Sequence, residues 1–398
     1  VGEDFVKLYD KYVSEGKYTK KIPARDLWFK ILDSQMETGT PYLLYADSCN
    51  KKSNQQNLGI IKSSNLCTEI IEYSDANESA VCNLASIAVS KFVTDNNEFD
   101  FEKLHTVTKV VARNLDKVID VNYYPTKQTK RSNLLHRPVG IGIQGLADCF
   151  ALMNLSFGDD KSKQLNENIF ETIYHAAIET SCELAEERVA GMIALRESLD
   201  NDRLGFSNYD DPCCDEFVIP NNPDKTLPKA FKTLIDKYHP IYYEMDKLKE
   251  KHLGAYSSFE NSPASKGKLQ FDLWDKTPST RYDWSLLKEK IQKYGIRNSL
   301  SLAPMPTAST SQILGNNECF EPFTSNIFTR RTLAGDFMIV NKYLISDLIN
   351  LNMWNKDIKN NIIANHGSIQ QISGIPEHIK NKYKIVWELS MKTLIDMA

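Results

Sequence analysis

No apolar run in this sequence approaches the roughly 18 to 20 residues that a membrane-spanning helix needs. Its opening residues, Val1, Gly2, Glu3 and Asp4, carry neither a basic nor a hydrophobic targeting segment. A cytoplasmic protein with no membrane partner is therefore expected. An excess of positive charge is missing too: Lys and Arg number 48 against 52 for Asp and Glu, a net charge of -4, so no overall field favours a polyanion. No nucleic-acid partner is expected. Cysteine is sparse, and eight thiols (Cys49, Cys67, Cys82, Cys149, Cys182, Cys213, Cys214 and Cys319) over 398 residues are too few for the disulfide framework of a secreted domain. There is no C-x-x-C pair and no His at zinc-ligand spacing from a cysteine pair, so no metal site is expected. Free or catalytic thiols are the remaining reading. An initiator Met is absent, and the sequence stops at Met397-Ala398 inside an amphipathic helical run, so a segment of a longer chain is expected.

With 41% hydrophobic and 25% charged residues, the chain can bury one large core or two moderate ones. Residues 1 to 38 have helical periodicity (Leu27, Trp28, Ile31, Leu32, Gln35) that Gly39-Thr40-Pro41 ends. Between 41 and 93 the texture shifts to short apolar stretches split by Asn, Ser and Lys, which predicts strands and loops. Helices are predicted over 101 to 122, 161 to 190 and 284 to 293, and strands at 138 to 142 and 300 to 303. That alternation implies an α/β architecture. The stretch from about 190 to 255 holds Asp, Asn and Pro clusters followed by a Lys-rich helical segment, and is expected to be a surface insertion. No internal repeat is found.

Four segments carry possible chemistry. In Asn65-Leu66-Cys67-Thr68-Glu69-Ile70, an extended backbone would set Asn65, Cys67 and Glu69 on one face. A carboxylate to take a proton from a hydroxyl, an amide to orient it and a thiol as nucleophile or radical carrier would then converge. The same spacing also suits a half-buried strand with a packed cysteine. Cys82 precedes the apolar run Leu84-Ala85-Ser86; if that run is helical the thiol gains thiolate character, and otherwise it is a small buried hydrophobe. Pro306-Thr307-Ala308-Ser309-Thr310 offers three hydroxyls and free backbone N–H groups where a helix starts, which suits either a phosphate or an ordinary cap. Gly140 to Gly145 fits G-x-G-x-x-G, the dinucleotide-binding fingerprint, although Gly158-Asp159-Asp160 comes too soon for the ribose-binding acid and leads into helix. A nicotinamide-dependent oxidoreductase is thus the rival enzyme, and an assembly module the non-enzymatic alternative.

Taken together, residues 53 to 59, 65 to 70 and 80 to 86, with Arg137 to Asp148, Gly254 to Lys266 and Trp284 to Thr310, closely resemble the large subunit of class I ribonucleotide reductases. The resemblance implies a ten-stranded α/β barrel of two antiparallel-arranged five-stranded halves, with Cys67 at the tip of a central finger loop. It implies that Cys67 becomes a thiyl radical that abstracts the 3′ hydrogen of a ribonucleoside diphosphate, that Glu69 is base to the 3′ hydroxyl, and that Asn65 binds the sugar hydroxyls. Cys82 would be one of two reducing thiols. Leu66 and Pro306, Thr307, Ala308, Ser309 and Thr310 would bind substrate. The implied partners are a metal-containing small subunit that supplies the radical, a thioredoxin- or glutaredoxin-type reductant, and further copies of the chain in a homodimer or higher oligomer. No cofactor would be bound directly. The ATP and dNTP effector sites, the second reducing cysteine and the radical-path tyrosines would lie outside these residues, leaving residues 1 to 398 inactive on their own.

Overall fold

The computed structural model of the chain describes residues 1–201 and 248–398. Two helices, α1 (Gly2–Ser14) and α2 (Ala24–Thr38), open the chain with no buried residue in either. The short α3 (Ala46–Lys52) follows. Of the strands expected between 41 and 93, one forms, at Leu84–Ala88, and residues 41–83 hold none. Backbone groups there are bound by side chains instead of by a ladder: Ile61 N–H donates to Asn50 Oδ1 at 2.7 Å, and Tyr73 N–H to Gln55 Oε1 at 2.8 Å. The Asn and Gln residues that split the apolar stretches thus take over the partners that a sheet would have supplied.

The organising unit begins at β1 (Leu84–Ala88), crosses over through α4 (Phe101–Val121) and α5 (Lys127–His136), and returns as β2 (Gly140–Gln144), which pairs parallel to β1. After β2 come α6 (Leu146–Leu152) and the long α7 (Asp160–Asn201). Residues 300–303 then run along the free edge of β2, where Ile141 N–H donates to Ser301 O at 2.9 Å and Ala303 N–H to Ile141 O at 3.2 Å. The predicted strand at 300 to 303 is therefore a third parallel segment. All five β2 residues are buried, as a central parallel strand covered on both faces requires. The first core joins Ile87, Ile141 and Ile143 of the strands to Leu104, Leu115 and Ile119 of α4 and Ile169 and Ile173 of α7. Asp100 starts α4 by accepting the Lys103 N–H at 2.9 Å, and Leu104, Thr108, Ala112, Leu115 and Ile119 form its buried stripe.

A second core gathers Tyr256, Phe259, Trp284, Leu287 and Ile291 around α8 (Gln270–Leu273) and α9 (Trp284–Tyr294). Here Gly254 is obligatory: a Cβ on it would stand 1.9 Å from the carbonyl oxygen of Ala185 on α7. After α10 (Thr310–Leu314), an antiparallel hairpin of β3 (Ile327–Thr332) and β4 (Gly335–Val340) leads to α11 (Lys342–Asn350), α12 (Lys356–Ala364), α13 (Glu377–Lys382) and α14 (Met391–Met397). Ile327, Leu348, Ile362 and Tyr383 centre a third core.

The α/β reading and the helices over 101 to 122 and 284 to 293 hold. Among the described residues the strands form two two-stranded sheets, and the closed ten-stranded sheet is not formed there. Most of the stretch expected to be a surface insertion, residues 202–247, lies outside the described residues. No described helix is long and apolar enough to cross a membrane.

Candidate active site

The motif at 53–57 anchors the segment that carries Cys67. Gln55, 2% exposed, accepts from Tyr73 N–H and donates to Ser299 Oγ at 3.0 Å. Asn54 donates to Ser299 O at 2.8 Å and to the Tyr256 hydroxyl at 3.0 Å, and accepts from Ala264 N–H at 3.0 Å. Asn57 donates to Ser258 O at 2.9 Å. Together these amide side chains tie residues 53–73 to the loop after 254, through Asn54 and Asn57, and to the entry of the third parallel segment, through Asn54 and Gln55.

From that anchor the chain makes a tight turn, not the extended strand that alternation predicted. Thr68 N–H donates to Asn65 O at 3.2 Å, Thr68 takes a left-handed φ of 67°, and Asn65 Oδ1 accepts from Ile70 N–H at 3.1 Å. Asn65, Cys67 and Glu69 therefore do not share one strand face. A short polar side chain at Asn65 can cap the turn from within, and this local bond wins over a sheet with no neighbouring strand. Leu66, 86% exposed, and Cys67 stand at the tip of the turn. Glu69 Oε2 is buried and has no hydrogen-bond partner among the described residues.

Cys82 stands two residues before β1 and not ahead of a helix, so no helix N-terminus stabilises a thiolate there. Burial pushes the Cys82 thiol up from its ordinary value, and the charges of Glu72 and Glu69 push it further. Glu72 was not singled out from the sequence; only its burial shows its character, raising its carboxyl to about 8 against a single relieving hydrogen bond from Val81 N–H. Downstream of Cys82, Asn83 is buried and fixes the start of β1 by donating to Asn133 Oδ1 at 2.8 Å and Pro138 O at 2.9 Å.

Residues 306–310 follow the third parallel segment and lead into α10, as the helix-start reading expected. Thr307 is buried, and its hydroxyl accepts from Cys319 N–H at 2.8 Å, while Ala308, Ser309 and Thr310 are exposed. No hydrogen bond or ion pair among the described residues joins 306–310 to Asn65, Cys67, Glu69 or Cys82. A cleft of about 560 Å³ lined by Asn154, Asp347, His378 and Lys382 contains none of these residues.

The glycine hexamer has a packing explanation. A Cβ on Gly140 would lie 2.5 Å from Leu84 and 2.7 Å from Ala303, and one on Gly142 would lie 2.9 Å from Ala303 O. The glycines let β1 and the third parallel segment flank β2 closely, so the fingerprint is spent on strand contact and not on a pyrophosphate.

Comparison with known proteins bears on the family and the fold. The chain is 49% identical over 397 residues to the ribonucleoside-diphosphate reductase large subunit of Caenorhabditis elegans, covering 100% of this chain and 42% of that protein. The large subunit of Danio rerio gives the same identity and the same coverage, 49%, 100% and 42%. The chain thus spans about 42% of the length of these curated relatives. In structure it is similar to the class Id ribonucleotide reductase alpha subunit of Actinobacillus ureae, with a TM-score of 0.59 over 94% of this chain and 52% of that one; at 22% identity this likeness bears on the fold alone. The sequence pattern of the family described as "Ribonucleotide reductase, barrel domain" matches residues 1–398 in full, and the chain belongs to that family.

Proposed function

We propose that this chain carries the thiol chemistry that reduces ribonucleoside diphosphates to 2′-deoxyribonucleoside diphosphates, within a longer oxidoreductase that supplies deoxynucleotides for DNA synthesis. The observation that carries the reading is Glu69 Oε2, a buried carboxylate oxygen with no hydrogen-bond partner among the described residues, two residues from the exposed Cys67 thiol. Leaving such an acceptor unmade costs about 1–3 kcal/mol, and a substrate hydroxyl would recover it.

In this mechanism the Cys67 thiyl takes the 3′ hydrogen atom of the ribose while Glu69 accepts the 3′ hydroxyl proton. Asn65 spends its carbonyl oxygen on its own turn, which leaves its NH₂ to donate to a sugar hydroxyl. Loss of the 2′ hydroxyl as water is matched by two electrons and two protons from two thiols, which end as a disulfide. Cys82 is one, and the other belongs to the remainder of the longer protein. Cys67 then returns the 3′ hydrogen. A raised thiol pKa at Cys82 keeps the S–H intact until it is needed. Leu66 and residues 306–310 contact the substrate, the latter through the Ser309 and Thr310 hydroxyls and backbone N–H groups at its diphosphate.

The same reading closes the described parallel segments into a ten-stranded barrel in the complete protein, with residues 1–398 as one catalytic domain and 190–255 as an elaboration of its surface. Its partners are a metal-containing small subunit that delivers the radical, a thioredoxin- or glutaredoxin-type reductant and further copies of the chain in the cytoplasm, with ATP and dNTP effectors bound elsewhere. The test is ribonucleoside-diphosphate reduction by the full-length protein with its small subunit and a dithiol, comparing wild type, Cys67→Ser, Glu69→Gln and Cys82→Ser. Loss of deoxynucleotide formation in Cys67→Ser and Cys82→Ser supports the assignment; wild-type activity in Cys67→Ser sinks it.

A further inference from the structure

Helices α4 and α7 run parallel, and their facing sides are joined at a four-residue spacing. Arg113 holds Glu183 at 3.0 Å and Glu187 at 2.8 Å. One turn earlier, Lys109 holds Glu179 at 3.0 Å and Glu183 at 2.5 Å. One turn earlier again the chemistry changes, because His105 stands where the next cation would be and faces His175 and Glu179, an i, i+4 pair on α7. His105 Nε2 lies 2.9 Å from His175 Nδ1 and 3.7 Å from Glu179 Oε2, and the three ligand atoms fall within 4.8 Å of one another.

We propose that His105, His175 and Glu179 form a site for a divalent transition-metal ion of the zinc class, which clamps α4 to α7. Two imidazole nitrogens and one carboxylate oxygen, with a water in the fourth position, are a donor set that zinc takes. Ligand atoms at about 2.0–2.2 Å from a tetrahedral ion lie roughly 3.3–3.5 Å apart. The two separations from His105, 2.9 and 3.7 Å, bracket that spacing, and all three ligand atoms lie within 4.8 Å of one another, so side-chain rotations that draw Glu179 toward His175 seat the ion. The metal takes the place of the single proton that the two facing nitrogens must otherwise share.

The surroundings hold the ligands as a metal site needs. The Tyr282 ring stacks on His175 at a centroid distance of 4.2 Å and on His105 at 5.5 Å, and Trp284 meets the His175 ring edge-on at 4.9 Å. Tyr282 is itself fixed through its hydroxyl to Thr172 at 2.9 Å. Such outer contacts set ring orientation and so raise affinity. Lys109 and Arg113 face three carboxylates along this seam, Glu179, Glu183 and Glu187, so the cluster keeps a net negative charge to receive a cation. His105 and Glu179 side chains are 19% and 27% exposed, which leaves an entry path at the rim.

The test is Co²⁺ titration of the full-length protein followed by visible absorption, with zinc binding measured by equilibrium dialysis. One ion per chain is expected, with the d–d bands of a four- or five-coordinate ion and no thiolate charge-transfer band. Binding should weaken about tenfold or more in both Glu179→Gln and His105→Gln, each checked by circular dichroism to retain the fold. A zinc-dependent rise in Tm should vanish in the same variants. No binding, undiminished binding in either folded variant, or a band from sulfur ligation at Cys67 or Cys82 would overturn the proposal. These readouts do not depend on nucleotide reduction.

Discussion

The carboxyl of Glu72 accepts a hydrogen bond from the backbone N–H of Val81, the residue that immediately precedes Cys82. This single bond does not offset the loss of water around Glu72, and burial lifts its carboxyl from 4.5 to about 8. In the unfolded chain the same group ionises near 4.5, so between that pH and about 8 the folded state holds one more proton than the unfolded state. Stability contributed by neutral Glu72 is therefore fully present below the lower value and is lost as pH rises to the upper one. The denaturation midpoint of the wild type should fall from about pH 5 to about pH 8 by more than that of Glu72→Gln. Identical pH profiles for the two proteins would show that Glu72 is hydrated. The same charge acts on Cys82, so in a Cys67→Ser background Glu72→Gln should speed alkylation of Cys82 above about pH 8 by exposing more thiolate.

Arg137 is 1% exposed and lies 2.9 Å from Asp116 and 2.6 Å from Asp120. Burial alone would raise Asp120, yet the Arg137 charge and hydrogen bond pull it below its ordinary value. Asn298 completes the cluster by donating to Asp116 at 3.0 Å and to the Arg137 carbonyl at 3.1 Å. Replacing Arg137 with Met takes the nearest cation from buried Asp116 and half-buried Asp120 and leaves Arg297, 4.0 Å from Asp116, as the remaining one, so a loss of about 3 kcal/mol, the low end for breaking a buried pair, is expected in urea denaturation. A loss below about 1 kcal/mol would mean that water reaches the carboxylates.

Gly254→Ala tests a different kind of requirement. The new Cβ would fall on the Ala185 carbonyl, a backbone atom in the middle of α7 that cannot swing aside. Either the loop at 254–260 moves away from α7, or the helix bends. A loss of several kcal/mol, comparable to severe overpacking, is expected as a lowered Tm together with weakened near-ultraviolet circular dichroism from the Tyr256, Phe259 and Trp284 cluster. An unchanged Tm would show that the close approach is not maintained in solution.

What could be read in the sequence follows from which signals are local. The stripe Leu104, Thr108, Ala112, Leu115 and Ile119 repeats at helical spacing, so α4 was legible residue by residue. Leu84 to Ala88 is too short for periodicity to separate strand from buried helix, and its pairing with 140–144 decides the matter only in three dimensions. The same limit applies to the site. Asn65, Cys67, Glu69 and Cys82 were named from residue type and resemblance, but the turn that seats them depends on an Asn65 side-chain bond that alternation ignores. Glu72 and the His105, His175 and Glu179 group were missed because burial and a 70-residue separation carry their meaning. Arg137 and Asn298, noticed as parts of matching motifs, prove to be members of one buried ion cluster.

The last prediction concerns the tether that positions Cys67. Gln55 meets Tyr73 through its carbonyl and Ser299 through its amide, so one side chain fastens both the outgoing end of the Cys67 segment and the parallel-strand frame. Gln55→Ala removes both bonds and leaves a buried N–H and a hydroxyl unmatched, at a cost of about 1–3 kcal/mol concentrated on residues 61–73. Cleavage near Leu66 and Cys67 in limited proteolysis should therefore accelerate at least severalfold, ahead of any global unfolding. Gln55→Glu separates tethering from packing. It keeps the acceptor for Tyr73 N–H, and the Ser299 hydroxyl can turn to donate to the new carboxylate. Near-wild-type proteolysis in Gln55→Glu beside rapid cleavage in Gln55→Ala would assign the effect to the two hydrogen bonds. Equal cleavage in all three proteins would mean that Asn54 and Asn57 hold the segment without Gln55.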